Sequence, residues 1–334
     1  MMKKRNERAT VTDVAELARV GASTVSRFLR GVPVRPKVAE RVSHAVKKLG
    51  YEPDESARAL RGGRSRTIGV ILPKVTNHFF SQSVQLIEEE ARQRGCTMVL
   101  LTHEDRLEEL LAHMAKLRRY RADGVILTGT PSTTVRGIRT AFPDVPVVAF
   151  DHFISSSLDA VLLNNREAAR MATEHLLGHG YASVACVTGK PEVYSFVERM
   201  AGYSEAMLAH GQCPWLITAA NYEQLASVLR DVLKSEKRPA ALLSLSDFST
   251  RSVLTIYKEL NLKAAEYLPL VGFDDPDFAA LVEPPLTVIR QPIAEMVRSV
   301  MGLLFSRIDG SAPKKAQIIS LHGEMVIRQS CGCS

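Results

Sequence analysis

Apolar residues along the chain follow two different patterns, and the change between them falls near Thr67. In residues 10–50 the apolar side chains recur at spacings of three and four, which predicts three short helices. From Thr67 onward, short continuous apolar runs alternate with longer segments of helical spacing, which predicts buried strands separated by helices. We therefore expect a small helical head followed by a large α/β body.

The helices of the head have recognisable start and stop signals. Thr10 is a favoured N-cap residue for the first helix, and Asp13 places a negative charge in its first turn. The second helix is predicted over about Ala22–Arg30, and a third runs from near Pro36, a favoured first-turn residue, to Gly50. Two short helices joined by a tight turn, the second carrying short polar side chains, suit entry into the major groove of DNA.

The second helix carries the candidate DNA contacts. Ala22, Ser23 and Arg27 are predicted to face bases or backbone, with Thr24 and Ser26 near phosphates. Thr10, at the start of the first helix, is a further predicted DNA contact. For Arg27, an intradomain ion pair remains open as an alternative to a base or phosphate contact.

Charge is concentrated in the head. Residues 1–66 hold 16 Lys/Arg and 7 Asp/Glu, a net of +9, whereas the whole chain is +7, so the rest carries a net of −2. A basic head on a slightly acidic body predicts that only the head meets a polyanion. A merely solubilising basic tail is disfavoured, because these charges lie within a patterned helical segment.

Composition narrows the class of protein. The 334 residues suffice for two or three domains, and no apolar run approaches the roughly 20 residues that span a bilayer. Residues 1–9 lack the apolar core of a signal peptide, and five cysteines are few, so we expect a cytoplasmic protein without a membrane partner. The C-x-C sequence of Cys331 and Cys333 is interpreted as part of a frayed tail rather than a metal or redox site.

Seven apolar runs in the body are predicted strands: Ile68–Leu72, Thr97–Leu101, Gly124–Leu127, Val147–Phe150, Val184–Val187, Ala241–Ser244 and Pro269–Phe273. Their alternation with helices implies parallel sheets covered on both faces, and its recurrence predicts two similar lobes. A ligand would bind at the carboxyl ends of the strands, in the cleft between the lobes.

Motifs in both parts resemble the lactose-repressor (LacI/GalR) family of transcriptional regulators. In the head they are Asp13–Ala15, Thr24–Arg27 and Leu49–Pro53. In the body they are Ile68–Val70, Asn77 with Phe79 and Phe80, Asp123–Leu127, Arg199 with Gly202 and Tyr203, Gly272–Asp275, Pro284–Thr287 and Arg290–Pro292. Arg19 departs from the pattern, because the turn of the family usually carries Gly there.

The resemblance implies an all-α helix-turn-helix head plus an α/β two-lobed, periplasmic-binding-protein-like body with parallel sheets. The implied parts are a DNA-binding domain (1–53), a hinge helix and linker (54–66), an effector-binding and dimerisation domain (67–329) and a tail (330–334). Within the body, the N-terminal lobe would comprise about 67–151 and 292–316, and the C-terminal lobe about 162–288 and 318–329.

The hinge adds two candidate DNA contacts. In the family this helix folds on DNA, and a leucine wedges between base steps in the minor groove. Leu60 matches that leucine, and Ala57 lies on the same segment. A helix docked on its own domain is the alternative.

The resemblance also indicates effector contacts on loops that follow strands. In the family the residues matching Arg199 and Asp274 hold hydroxyl or carboxylate groups of the ligand. An ion pair within or between the lobes is the alternative for both, and at least one of Phe79 and Phe80 is expected in a helix core. The full predicted set is His78, Phe79, Phe80, Thr130, Asp151, Ser195, Arg199, Asp247 and Asp274.

These observations predict a DNA-binding regulator, most simply a repressor, and no enzyme, cofactor or metal site. Its expected partners are a near-palindromic double-stranded operator, a second copy of the chain in a homodimer, and a small-molecule effector. A sugar or sugar acid is the first prediction for the effector, and a purine-like or phosphorylated metabolite is the second. A solute receptor or an enzyme is disfavoured, because the chain has a basic head and no evident catalytic set.

Overall fold

The structure is a computed structural model that describes residues 9–29, 32–51, 64–219, 221–262 and 267–333. These residues belong to two compact units, Met1–Ser65 and Arg66–Ser334. Most of the predicted hinge, including Ala57 and Leu60, lies outside the described residues.

The head contains the three predicted helices: α1 (Val11–Ala18), α2 (Ala22–Leu29) and α3 (Pro36–Leu49). Thr10 caps α1 in a reciprocal capping box with Asp13. Arg19 ends α1 in the left-handed region, at φ 52°, where the resemblance predicts a residue that is usually Gly. Buried side chains from all three helices form one small core: Val14, Ala15, Ala18, Val25, Val42 and Ala45.

The body alternates strands and helices. In chain order its elements are β1 (Thr67–Leu72), α4 (His78–Gln93), β2 (Thr97–Thr102), α5 (Leu107–Arg119), β3 (Gly124–Leu127), α6 (Val135–Ala141), β4 (Val147–Phe150), β5 (Asp159–Leu163), α7 (Asn165–Gly178), β6 (Val184–Thr188), α8 (Tyr194–Ala209), β7 (Trp215–Thr218), α9 (Tyr222–Lys234), β8 (Ala241–Ser244), α10 (Asp247–Glu259), β9 (Leu270–Phe273), β10 (Thr287–Arg290), α11 (Ile293–Ile308), β11 (Ile318–Leu321) and β12 (Glu324–Val326).

The strands form two sheets of six, one in each lobe. The first has the order β11-β5-β4-β3-β1-β2 and is parallel throughout. The second has the order β12-β10-β9-β8-β6-β7, in which only β12 runs antiparallel to its neighbour. Central strands are buried at every position because helices cover both faces of each sheet, which explains their continuous apolar sequences.

Each sheet has one apolar core on either face. Ile68 and Val70 of β1 pack with α4 and α11 on one side, whereas Ile71 packs with α5 and α6 on the other. This alternation follows from the two-residue period of a strand. In the second lobe, α7 and α8 cover one face and α9 and α10 cover the other.

The predicted lobe boundaries are wrong near both ends of the second lobe. All of β5 lies in the first sheet, and the first lobe therefore extends to Leu163 rather than to residue 151. Strand β11 pairs with β5 in the first sheet, whereas 318–329 was assigned to the second lobe, and only β12 joins the second sheet. Both sheet edges accept a short apolar strand, so the local sequence does not reveal which edge is used.

The frayed tail predicted for residues 330–334 is also wrong for its first two residues, because Ser330 and Cys331 are buried. The Ser330 hydroxyl donates to Leu270 O at 2.6 Å and accepts from Thr287 N at 2.8 Å. The segment thereby satisfies backbone groups at the starts of β9 and β10 that would otherwise be buried without partners.

Gly202 permits a close approach of α7 and α8, because a Cβ built on it would lie 1.9 Å from Arg166 O. We expect Gly202→Ala to lower the free energy of unfolding by about 3 kcal/mol, since backbone must move to admit the methyl group. Gly302→Ala is the matched control: its Cβ would meet nothing within 4 Å, and alanine should stabilise α11 by up to about 1 kcal/mol. Urea unfolding of both variants measures the difference, and equal stabilities would contradict the close contact.

Candidate functional site

Helix α2 has one buried and one exposed side. Val25 is fully buried in the core of the head, whereas Ala22, Ser23 and Arg27 are exposed. Thr24 and Ser26 are half-buried. The exposed predicted DNA contacts therefore share a short polar surface that another molecule can reach.

Two of the predicted DNA contacts also have partners within the head. The Thr10 hydroxyl donates to Asp13 Oδ2 at 2.7 Å, and this hydrogen bond lowers the pKa of Asp13. The Arg27 guanidinium donates to Pro33 O at 3.3 Å while remaining exposed. This contact is a hydrogen bond within the head to a backbone carbonyl, and not the ion pair that the alternative names.

The body encloses a cavity of about 180 Å³ where the carboxyl ends of the two sheets face each other. It is lined by residues from the segments after β1, β2, β3, β4, β6, β8, β9 and β10 and from the N-terminal turns of α4, α8 and α10. Of the predicted effector contacts, the wall contains Phe79, Phe80, Asp151, Ser195, Arg199 and Asp274.

Arg199 is the buried cation of this cavity and is held rigidly by the second lobe. Its Nε donates to Asn165 Oδ1 at 2.7 Å and its Nη1 to Leu245 O at 2.6 Å. The guanidinium carbon lies 4.1 Å from the ring centroid of Phe273. Burial lowers the pKa of Arg199, and the carboxyl groups of Asp274 and Asp151 oppose that effect.

Asp151 is a buried acid in an unusual state. Its backbone lies in the left-handed region at φ 60°, directly after β4, and its Oδ1 has no hydrogen-bond partner within the described part of the chain. Burial raises its pKa to about 7, although the charge of Arg199 acts in the opposite direction. Near neutral pH the group can therefore donate or accept a hydrogen bond.

Asp274 follows β9 in the corresponding place of the second lobe, also in the left-handed region, at φ 68°. It accepts a 2.6 Å hydrogen bond from Gln291 Nε2 on the segment that connects β10 to α11. The side-chain oxygen Oε1 of Gln291 is buried and has no hydrogen-bond partner among the described residues. The cavity thus has two unsatisfied buried acceptors, on Asp151 and Gln291, beside the fixed donor of Arg199.

Aromatic rings form the apolar part of the wall. Phe79 stacks on Phe150 with ring centroids 5.5 Å apart and meets Phe80 edge-on at 5.1 Å. Phe196 and Phe248 line the side that belongs to the second lobe. Phe79 and Phe80 therefore belong to the apolar core of the first lobe and also line the cavity.

An ion pair joins the two lobes beside the cavity. Lys190, after β6, donates to Asp105, after β2, at 2.9 Å. Lys74, after β1, places its Nζ 5.9 Å from the ring centroid of Phe248. Sequence reasoning missed Lys190, Asp105, Lys74 and Gln291, although each of them stands one to three positions after a strand.

Three predicted effector contacts lie outside the cavity wall. Thr130 is buried and bonds Thr133, with their hydroxyl oxygens 3.0 Å apart. Asp247 pairs with Arg251 at 2.7 Å. His78 lines a separate open groove together with Asp274. The structure therefore brings six of the nine predicted residues together.

Comparisons with known proteins agree with this architecture. Residues 10–54 match the family described as bacterial regulatory proteins of the lacI family, and residues 173–331 match a periplasmic binding protein-like domain. The chain belongs to the LacI family. It is accordingly a DNA-binding transcriptional regulator, with the helix-turn-helix head and two-lobed body that the sequence predicted.

Individual LacI-family relatives match over nearly the whole chain. The HTH-type transcriptional repressor PurR of Vibrio vulnificus is 29% identical over 330 residues, covering 96% of this chain and 98% of the relative. A lac repressor dimer bound to operator and an anti-inducer superposes with a TM-score of 0.83 at 24% identity, covering 97% and 99% of the two chains. A complex of the transcriptional regulator CelR with cellobiose gives a TM-score of 0.70 at 26% identity, covering 97% and 100%.

None of the helices in the described ranges combines the length and apolar character needed to cross a membrane.

Proposed function

We propose that this LacI-family protein represses transcription as a homodimer on a near-palindromic operator, and that a small molecule in the cleft sets its operator affinity. The main support for this proposal is the cavity between the lobes. There the buried Arg199 lies beside two buried acceptors without hydrogen-bond partners in the described residues, Asp151 Oδ1 and Gln291 Oε1. The named relatives, which are repressors, support the same role. We further propose that the protein acts in the cytoplasm and has no catalytic activity.

The head is proposed to read DNA through α2. Exposed Ala22, Ser23 and Arg27 would lie in the major groove, and half-buried Thr24 and Ser26 near phosphates, with Thr10 at the start of α1. Because one head is small, two heads related by a twofold axis would bind half-sites about one helical turn apart. Ala57 and Leu60, which lie outside the described residues, remain proposed hinge contacts.

Replacing Arg27 by Ala is expected to weaken operator binding by about 1–3 kcal/mol. The matched control is Lys116→Ala, which removes one exposed positive charge from α5 in the body and should leave operator affinity unchanged. The operator is first selected from a random DNA pool, and affinities are then measured at fixed salt. An unchanged affinity for the Arg27 variant would assign this residue to the hydrogen bond with Pro33 alone.

The effector is proposed to be a monosaccharide-sized ring with several hydroxyl groups. The cavity offers a rigid guanidinium, acceptors on Asp151, Asp274 and Gln291, and aromatic faces, the combination that binds vicinal hydroxyls and a sugar face. At about 180 Å³ it is smaller than the usual pocket for drug-sized ligands, roughly 300 Å³ or more.

A nucleobase is the second candidate, favoured by the four phenylalanine rings of the wall, Phe79, Phe80, Phe196 and Phe248. A planar base could stack on one of them while Asp151 and Gln291 bond its edge. The two candidates require different positions of the hydrogen-bonding groups. A base needs them in the plane of its ring, whereas a sugar needs them around the edge of its ring, where the hydroxyl groups are.

A ligand screen tests both candidates. The full-length protein is melted with neutral pentoses and hexoses, sugar acids, purine and pyrimidine bases, and phosphorylated sugars. Binding at 100 times Kd stabilises by about 2.7 kcal/mol, and only the native state binds. A hit must also change operator affinity. Stabilisation by nucleobases alone would replace the sugar proposal, and no change in operator affinity with any hit would refute effector control.

A further inference from the structure

We infer that residues at the C-terminal end of the chain form, together with α7, a binding site for one Zn²⁺ ion. Cys331, Cys333, His175 and His179 place one ligand atom each within 4.8 Å of one another. The cluster lies in the second lobe, on the face covered by α7, and shares no residue with the effector cavity. Local sequence patterns do not connect its parts, because the histidines and cysteines are more than 150 positions apart.

The distances already approximate a tetrahedral site. Cys333 Sγ lies 3.3 Å from His179 Nε2 and 3.8 Å from His175 Nε2. A tetrahedral zinc with Zn–S near 2.3 Å and Zn–N near 2.0–2.1 Å separates sulfur and nitrogen by about 3.6 Å. Two sulfurs and two imidazole nitrogens are also the usual donor set of a structural zinc site.

The local backbone orders these ligands before any ion binds. His175 and His179 are four positions apart at the end of α7, so their side chains lie on the same face of the helix. Cys331 is fully buried in the core of the second lobe, and its Sγ lies 3.0 Å from the Thr287 hydroxyl. Such outer contacts orient metal ligands.

Gly332 allows the two cysteines to turn toward one point. Its φ is 98°, a backbone conformation that residues other than glycine rarely adopt. A Cβ built on it would lie 2.3 Å from the Tyr181 hydroxyl. Tyr181 itself stacks on His179, with ring centroids 5.8 Å apart. The C-x-C turn therefore fits against the histidine face only with glycine at its centre.

Zinc in this position ties the last described residues to the end of α7. Soft thiolate ligands favour Zn²⁺ over hard cations such as Mg²⁺ and Ca²⁺. Since binding displaces the thiol protons, affinity should fall as pH decreases. The ion would stabilise the native body, because the unfolded chain does not hold these four ligands together.

The test is the zinc content of full-length protein purified under reducing conditions without chelators. We expect one zinc per chain by mass spectrometry, and Cys333→Ser and His179→Asn should each weaken zinc affinity at least about 100-fold in chelator competition. These positions are half-buried and exposed, so the variants should fold, which circular dichroism verifies. The matched controls are Cys213→Ser and His210→Asn, which replace the same residue types at exposed positions outside the cluster.

Cobalt gives a second measurement that does not depend on purification history. Chelator-treated, reduced protein titrated with Co²⁺ should develop the visible bands of a tetrahedral ion and the near-ultraviolet charge-transfer band of cobalt–thiolate bonds, saturating at one equivalent. Cys333→Ser should lose part of the charge-transfer band. Zinc retained equally by the Cys333 variant, or reduced protein that takes up neither ion, would overturn the proposal.

Discussion

Replacing Arg199 by Met is expected to abolish effector binding and to lower the free energy of unfolding of the body by about 3–5 kcal/mol. Arg199 is 3% exposed, and its guanidinium stands among Asp151, Asp274 and the ring of Phe273. Without it, Asp274 would lose the buried cation that it faces, and Leu245 O would lose its donor. The thermal or urea unfolding transition measures the loss, and calorimetry with the ligand found by screening measures binding.

Two further variants separate charge from geometry. Arg199→Lys keeps the cation but cannot reproduce the forked hydrogen bonds to Asn165 and Leu245, so it should recover part of the stability while binding the effector at least 10-fold more weakly. Arg230→Met removes a half-exposed arginine that pairs with Glu259 and should cost no more than about 1 kcal/mol. If the Met variants at 199 and 230 lost equal stability, Arg199 would not be the buried cation described above.

Asp151→Asn is expected to stabilise the body increasingly as pH rises. Burial raises the pKa of Asp151 from 3.8 to about 7, so between these values the unfolded chain is ionised while the folded protein holds the proton. The contribution of Asp151 to the free energy of unfolding of the wild type is therefore fully present below about pH 4 and is lost as pH rises to about 7. Asparagine stays neutral, so the variant should gain up to about 4 kcal/mol over wild type by neutral pH, and no more above it.

The difference between the two proteins isolates this group. Burial lowers the pKa of His152 to about 4, which by itself makes stability rise with pH up to the ordinary range of histidine. His152 is present in both proteins, so its contribution cancels in the subtraction. Asp144→Asn, at an exposed position, should change stability by only about 0.5 kcal/mol at any pH. If the difference in free energy of unfolding between Asp151→Asn and wild type did not grow between pH 4 and 7, a raised pKa of Asp151 would be contradicted.

Much of the architecture could be predicted from local sequence signals. The capping box of Thr10 and Asp13, the end of α3 at Gly50 and the seven apolar strands were all predicted where the structure has them. Those features depend on residues within a few positions of one another, so a single sequence contains the information.

The errors concern pairings between distant segments. The edge occupied by β11 and the burial of Ser330 and Cys331 depend on residues far away in the sequence. The same limit applies in the cavity, because Gln291 reaches Asp274 only where β10 and β9, the strands that they follow, pair in the second sheet.

The sequence by itself therefore determined the helical head, the α/β body and a cleft at the ends of the strands, because hydrophobic period and helix signals are local. Only the tertiary structure decided which side chains meet. It placed Asp151, Arg199 and Gln291 in one wall, and it brought Cys331 and Cys333 to His175 and His179. Burial, which raises the pKa of Asp151, likewise exists only once distant segments have packed around the group.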